Sequence, residues 1–159
     1  MHHRLSRLAV TLSAALALGA CGGPAPGGGG DGGVSGEYGL SHTGSTRSHN
    51  VGQDCLNCHK EGGIGDGVFS VAGTVYNGAT PATSGSVYLY ADLAKTVLVA
   101  TLEVDAYGNF YTIEPISQLS GPGGVAGVYA KVNGTSMPGV VSNGSCNECH
   151  SPAGGVGRI

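Results

Sequence analysis

Between residues 68 and 132 the chain repeats short runs in which apolar and polar residues alternate. Alternation with a period of two is typical of β-strands that bury one face. In Ser86–Ala91, the apolar residues Val87, Leu89 and Ala91 fall on one face, and the two tyrosines fall on the other. The pattern predicts a strand here, with its apolar face toward a core.

Four further strands are predicted on the same grounds, with Val128–Val132 as the last of them. They cover residues 68–76, 96–104, 110–113 and 128–132. The turn signals Asn77-Gly78 and Asp105–Asn109 separate them. Residues 91–101 also suit a helix, but β-branched Thr96, Val97, Val99 and Thr101 favour a strand. Short strands at this spacing predict a mainly β fold, an antiparallel β-sandwich.

The amino terminus has the features of an export signal. Arg4 and Arg7 precede an eleven-residue apolar run, Leu8–Leu18, which is shorter than the ~20 residues that span a bilayer. Leu18-Gly19-Ala20-Cys21 is similar to a bacterial lipobox, which implies lipidation of Cys21; simple cleavage that leaves a free thiol is the alternative. The Arg spacing does not match a twin-arginine signal.

A lipid anchor would hold the mature chain at a membrane. Gly22 lacks the acidic side chain associated with inner-membrane retention, so the resemblance favours the outer membrane, facing the periplasm or the cell surface. Glycine and proline dominate the residues that follow, which predicts a flexible tether.

Charge and composition narrow the range of partners. Without Arg4 and Arg7, five of the seven basic residues remain against ten acidic ones, a formal charge of −5. With no basic patch, a nucleic-acid partner is not expected. Glycine contributes 31 of 159 residues and tryptophan none, so the chain builds only a small core.

No enzyme motif interrupts the predicted strands. The stretch contains no G-x-S-x-G, no phosphate-binding loop and no H-E-x-x-H. Its acidic residues are scattered, and we interpret them as solvated strand or turn residues: Asp92, Glu103, Asp105 and Glu114.

The clearest chemical signal is a motif that occurs twice. Cys55–His59 and Cys146–His150 are both C-x-x-C-H, the attachment signal of a c-type haem. In such a site two thioethers hold the porphyrin and the histidine ligates the iron. The motifs therefore predict two covalently bound c-type haems, attached at Cys55, Cys58, Cys146 and Cys149, with His59 and His150 as proximal ligands. Such haems are attached outside the cytoplasm, which agrees with the export signal.

The sequence offers three candidates for the sixth iron ligands. Without the leader the histidines number four, which equals the need of two bis-histidine haems. His49 is our choice for one iron, either that of its own segment or the other. For the second iron, His42 and Met137 both remain candidates, because a thioether also serves as a sixth ligand. Met137 suits a gap-filling core role equally well.

These features divide the chain into five parts. The parts are a lipoprotein signal peptide (1–20), a Gly-rich tether (21–36), a first haem-binding segment (37–67), the β-sandwich (68–134) and a second haem-binding segment (135–159). The expected fold is thus a β-sandwich flanked by loop-rich haem-binding segments.

The strand region resembles the carboxypeptidase regulatory-like, transthyretin-like sandwich. The resemblance is carried by Gly73-Thr74-Val75, Ser86–Ala91, the turn Asp105–Phe110 and Gly127–Val132. The chain departs from the family pattern in the second strand, where Gly85-Ser86-Val87 stands in place of the usual Gly-Ala-x-Val. The family is mostly non-catalytic. With its motifs and leader, the chain is similar to exported dihaem cytochromes that carry such a sandwich between two haem motifs.

Electron transfer in the cell envelope is the function that these expectations favour. A haem with both axial positions filled passes electrons but offers no open site for a substrate. Expected partners are redox proteins or other cytochromes, including those of an extracellular electron-transfer route. Assembly of the chain into an oligomer or filament is compatible with this function. The alternatives are a haem sensor or partner-binding module, a haem enzyme if one iron is five-coordinate, a Cys₄ zinc structural site, and disulfides within or between the two cysteine pairs.

Overall fold

The computed structural model describes residues 39–119, 127–151 and 158–159. The predicted signal peptide, the tether and Cys21 lie outside them. Within this part of the chain the secondary structure is almost entirely strand, which confirms the mainly β prediction. The strands are β1 (Val71–Thr74), β2 (Tyr76–Asn77), β3 (Thr80–Pro81), β4 (Ser86–Tyr90), β5 (Leu98–Glu103), β6 (Asn109–Thr112), β7 (Val128–Val132) and β8 (Thr135–Val141). Two short helical turns, a 3-10 turn at Cys55–Asn57 and α1 at Cys146–Cys149, complete the elements.

The largest sheet has four antiparallel strands in the order β5-β4-β7-β8. On β4, Val87 and Leu89 are buried and the tyrosines between them are half-buried, as the alternation predicted. Ala91 lies beyond the end of β4 and is exposed, so its predicted place on the core face is wrong.

A second, two-stranded sheet pairs β1 with β6 antiparallel. Isolated bridges extend it on both sides, from Leu40 to Thr112 on β6 and from Ala72 on β1 to Ser145. The apolar residues of this sheet, including Val71 and Phe110, join those of the larger sheet in one hydrophobic cluster. The face-to-face arrangement of a sandwich stays a prediction.

The predicted turns form as expected, each around a residue with a positive φ. Asn77-Gly78 connects the β2–β3 hairpin, with Gly78 at φ 64°. In the turn before β6, the Asp105 carboxylate accepts hydrogen bonds from the backbone N–H of Tyr107 and Asn109 at 2.9 and 3.0 Å. Asp105 is fully buried, so our interpretation of it as a solvated residue is wrong.

The strand predicted at 96–104 begins later, at Leu98. The Asp92 carboxylate accepts hydrogen bonds from the backbone N–H of Thr96 and Val97, which closes a turn before the strand. Such local side-chain capping competes with strand pairing. Leu98 is consequently at the exposed end of β5, with 54% of its surface accessible, whereas Leu102 is buried.

Val128–Val132 is not the last strand, because β8 follows it and pairs with it. Asn133 and Gly134, both at positive φ, form the tight connection between them. Pro138 and Gly139 weaken the sequence signal of β8, and an edge strand tolerates both. Part of the segment predicted as haem-binding, 135–141, therefore belongs to the sheet. Among the described residues, no helix is long and apolar enough to cross a membrane.

Candidate functional site

Both C-x-x-C-H motifs form a short helical turn closed by the same backbone hydrogen bond. In the first, the backbone N–H of His59 donates to the carbonyl of Cys55 at 2.9 Å, and in the second, that of His150 donates to Cys146 at 2.9 Å. Residues four apart in a helical turn lie on one face. Each motif therefore presents its first cysteine and its histidine on the same side.

The motifs lie side by side although 91 positions separate them. Ser145, which precedes the second motif, donates its hydroxyl to the carboxylate of Asp54, which precedes the first, at 2.5 Å. The same Asp54 oxygen caps the first turn by accepting from the backbone N–H of Leu56 at 3.1 Å. On its other side the second motif is fixed to β1, where the Ala72 N–H donates to the Gly144 carbonyl at 2.9 Å.

A buried polar network joins both motifs to the small sheet. Asn147 is the first variable residue of the second motif and is only 2% exposed. Its amide nitrogen donates to the Gln53 carbonyl at 2.6 Å and to Thr74 Oγ1 at 3.0 Å, while its oxygen accepts from the Thr74 N–H at 2.9 Å. The Thr74 hydroxyl in turn donates to Asn109 Oδ1 at 2.6 Å. Sequence reasoning missed these residues, because the variable positions of the motif carry no recognised signal.

We expect Asn147→Ala to destabilise the fold by about 3 kcal/mol. The change removes three hydrogen bonds and leaves the buried Thr74 N–H without its acceptor, and such orphaned groups are costly. Urea unfolding measures the effect. Glu148→Ala is the matched control, since Glu148 is the exposed neighbour that only accepts from the Asn143 amide. Equal losses for both variants would contradict the structural role given to Asn147.

The His59 ring is held on several sides. Its Nδ1 lies 2.9 Å from the carbonyl of Asp66, so the Nδ1–H tautomer donates there and Nε2 keeps its lone pair. The ring stacks on Phe69 at a centroid distance of 4.1 Å, and Phe69 stacks on Tyr111 of β6 at 4.7 Å. Gly65 lies so close that a Cβ would be 2.7 Å from the His59 ring. The chain thus presents an oriented imidazole with a free nitrogen.

The leading cysteine of each motif has an elevated pKa. Burial raises the pKa of Cys55 to about 11, with a smaller contribution from the negative charge of Asp54. Burial also raises the pKa of Cys146 to about 12, and the neighbouring thiols of Cys55 and Cys149 add to it. Both thiols are therefore protonated at neutral pH.

The raised values predict an alkaline loss of stability in the haem-free protein. Each thiol has a higher pKa in the folded chain than the unfolded value of 9.0, so its full contribution to the free energy of unfolding is present below pH 9. It is then lost as the pH rises toward 11 and 12, at about 1.4 kcal/mol per pH unit for each thiol. Urea titrations from pH 8 to 10.5 measure this slope. Cys146→Ala should reduce it, and an unchanged slope would contradict the assignment.

The second cysteines differ from the first. Cys149 is exposed and has a free thiol. Cys58 is half-buried and disulfide-bonded. A thioether at Cys58 requires this sulfur to be reduced first.

The three candidate sixth ligands lie in different surroundings. The exposed His49 ring lies beside His59, with centroids 5.9 Å apart and planes tilted by 42°. His42 is exposed and lines a cavity of about 460 Å³ with Arg47 and Tyr111. Met137 is half-buried on β8 and packs against the hydrophobic cluster, which favours the core role.

His42 and the second motif lie near opposite edges of the small sheet. His42 follows Ser41, whose N–H donates to Tyr111 of β6, whereas Ser145 borders β1. Three strand spacings separate those edges, about 14 Å. The structure therefore does not bring His42 to the edge that carries the second motif. His150 is half-buried at the end of α1.

Side chains of the described residues do not form a group of three or more His, Cys, Asp or Glu that could hold a bare metal ion. A Cys₄ zinc site thus gains no support from the geometry. Comparison with protein-family models, curated proteins and solved structures finds no match.

Proposed function

We propose that the chain is a dihaem c-type cytochrome that transfers electrons in the bacterial cell envelope. One observation carries the proposal: both C-x-x-C-H segments form the same backbone hydrogen bond from histidine to first cysteine, and they are joined side by side by Asn147 and the Asp54–Ser145 hydrogen bond. A structural thiol pair needs neither the histidine after each motif nor such a matched arrangement. Two c-type haems need the histidine of each motif as an iron ligand, and the adjacent motifs would place the two haems close together.

The residues of the first motif fit a haem. The Asp66 carbonyl holds His59 Nδ1, and this is the second contact that orients metal-bound histidines and leaves Nε2 for the metal. Cys55, four residues earlier, lies on the same side of the turn. A haem bound at each motif would supply reversible one-electron chemistry.

The surrounding residues would bring the two haems close together. Asp54 and Ser145 hold the starts of the two motifs within one hydrogen bond, and Asn147 ties α1 to Gln53. Neighbouring attachment points favour electron exchange within the protein. The exposed Cys149 and the partly exposed histidines leave the site accessible to a redox partner at the surface.

Export, lipidation at Cys21 and an outer-membrane location belong to the same proposal. They rest on the leader sequence and on the need to attach c-type haem outside the cytoplasm. Redox proteins or other cytochromes, including those of an extracellular electron-transfer route, are the proposed partners. The transthyretin-like sandwich is the proposed scaffold, supported by the shared hydrophobic cluster of the two sheets.

The test is to express the full chain with a c-type haem maturation system and record its spectrum. We expect c-type bands, a pyridine haemochrome with two haems per chain, and reversible reduction without turnover of peroxide. Expression without the maturation system is the control and should yield no covalent haem. A purified, folded protein without c-type bands after maturation would overturn the proposal.

A haem-free β module that keeps a disulfide at Cys58 is the second candidate, although Cys55, Cys146 and Cys149 have free thiols, so no disulfide joins cysteines within or between the two motifs. The disulfide at Cys58 favours it. The same preparation separates the two candidates, because thiol counting after denaturation finds disulfides in one case and thioethers, which resist reduction, in the other.

A further inference from the structure

The rings of two histidines that sequence reasoning could not pair lie beside each other, tilted rather than stacked. The rings of His49 and His59 have centroids 5.9 Å apart and are tilted by 42°. The sequence left open whether His49 serves the first haem or the second. The proximity of its ring to His59 bears directly on this choice.

The separation is the one that a shared metal requires. An imidazole nitrogen binds a metal at about 2.0 Å, and the ring centroid lies about 1 Å further back. Two imidazoles on opposite sides of one metal therefore have centroids about 6 Å apart. Rings in a parallel stack approach more closely, as His59 and Phe69 do at 4.1 Å, so His49 and His59 are not stacked on each other.

The backbone around His49 is fixed by the buried network. Its carbonyl accepts from the Asn109 amide at 3.2 Å, and the same amide donates to the Ser48 hydroxyl at 2.9 Å. Three residues later, the Gly52 N–H donates to Thr74 Oγ1 at 3.0 Å. His49 is thus presented by a segment that is fastened to β1 and β6.

His59 is fixed independently of His49. The Asp66 carbonyl holds its Nδ1, and its own carbonyl accepts from the Phe69 N–H at 2.9 Å. The stacked Phe69 supports the ring from the side of the sheet. The two imidazoles are therefore held separately at the distance that one iron would span.

We propose that His49 and His59 are the two axial ligands of the same iron, that of the haem attached at Cys55 and Cys58. This assignment rests on the proposed function. It makes the first haem bis-histidine and restricts the contest between His42 and Met137 to the second. Asn109 acts as a positioning residue for His49.

The test uses a chain that carries the first haem alone, the double variant Cys146→Ala/Cys149→Ala. In this background, His49→Ala should convert the haem from low-spin to high-spin and open it to carbon monoxide after reduction. His42→Ala is the matched control, since His42 is also exposed, and it should remain low-spin. Electron paramagnetic resonance of the ferric form and the carbon monoxide difference spectrum report the change.

The two-haem chain gives the same answer if the double variant does not fold. There, His49→Ala should make half of the ferric haem high-spin, whereas His42→Ala should leave the signal assigned to the first haem unchanged. Asn109→Ala should weaken His49 ligation in part, and added imidazole should restore the low-spin signal.

Two failures are distinguishable. A parent protein without covalent haem overturns the proposed function and this assignment together. A parent with two haems whose His49→Ala variant stays fully low-spin overturns the assignment alone, as does conversion of the first haem by His42→Ala.

Discussion

Replacing Cys55 and Cys58 with alanine is expected to halve the haem content, leaving the second haem in place. Each motif supplies its own pair of thiols and its own proximal histidine, so the loss of one pair does not remove the attachment chemistry of the other. The pyridine haemochrome of the purified variant measures the loss, and a ratio of one haem per chain is expected.

The corresponding variant of the second motif, Cys146→Ala/Cys149→Ala, is the control for this experiment. It should also retain one haem per chain. Its spectrum and that of the Cys55→Ala/Cys58→Ala variant should add up to the spectrum of the parent protein. If either double variant loses both haems while circular dichroism still shows the parent β signal, the assignment of one haem to each motif is wrong.

A large loss of stability is also expected from Gly144→Ala. A Cβ at this position would collide with the backbone carbonyl of Ser70, which cannot move without displacing β1. The Gly144 carbonyl also accepts from the Ala72 N–H, so relief of the collision breaks the contact that fixes the second motif to the sheet. We expect a loss of about 3 kcal/mol in urea unfolding.

Gly139→Ala provides the matched control. It lies in β8, no atom would lie within 4 Å of its new Cβ, and it does not have a positive φ. Its unfolding free energy should change by less than ~0.5 kcal/mol. Similar values for the two variants would show that the second motif is not fastened to β1 as described.

The sequence predicted those strands whose apolar residues alternate on one face. Val87 and Leu89 carry such a signal, and β7 matches its predicted bounds of Val128–Val132. Where local hydrogen bonds compete, the pattern misleads. Asp92 closes a turn that delays the start of β5, and a carboxylate at Asp105 is buried because it caps a turn rather than facing solvent.

The two C-x-x-C-H motifs could be recognised in the sequence, but their contact in the fold could not be predicted from it. Asn147 contacts Gln53 and Thr74, which lie 94 and 73 positions away, and nothing in a C-x-x-C-H pattern indicates what its variable residues touch. The pairing of β8 with β7 was hidden for a similar reason, since Pro138 and Gly139 are poor strand formers that an edge position tolerates. Local signals thus predict elements, whereas the site depends on distant polar contacts.

The central claim, one haem covalently attached at each motif, is tested most directly by mass spectrometry of proteolytic peptides from the matured protein. The account predicts that the peptide containing Cys55–His59 and the peptide containing Cys146–His150 each carry the mass of one haem after reduction and denaturation. Both peptides at their unmodified mass, with thiols recovered at Cys55, Cys58, Cys146 and Cys149, would contradict it.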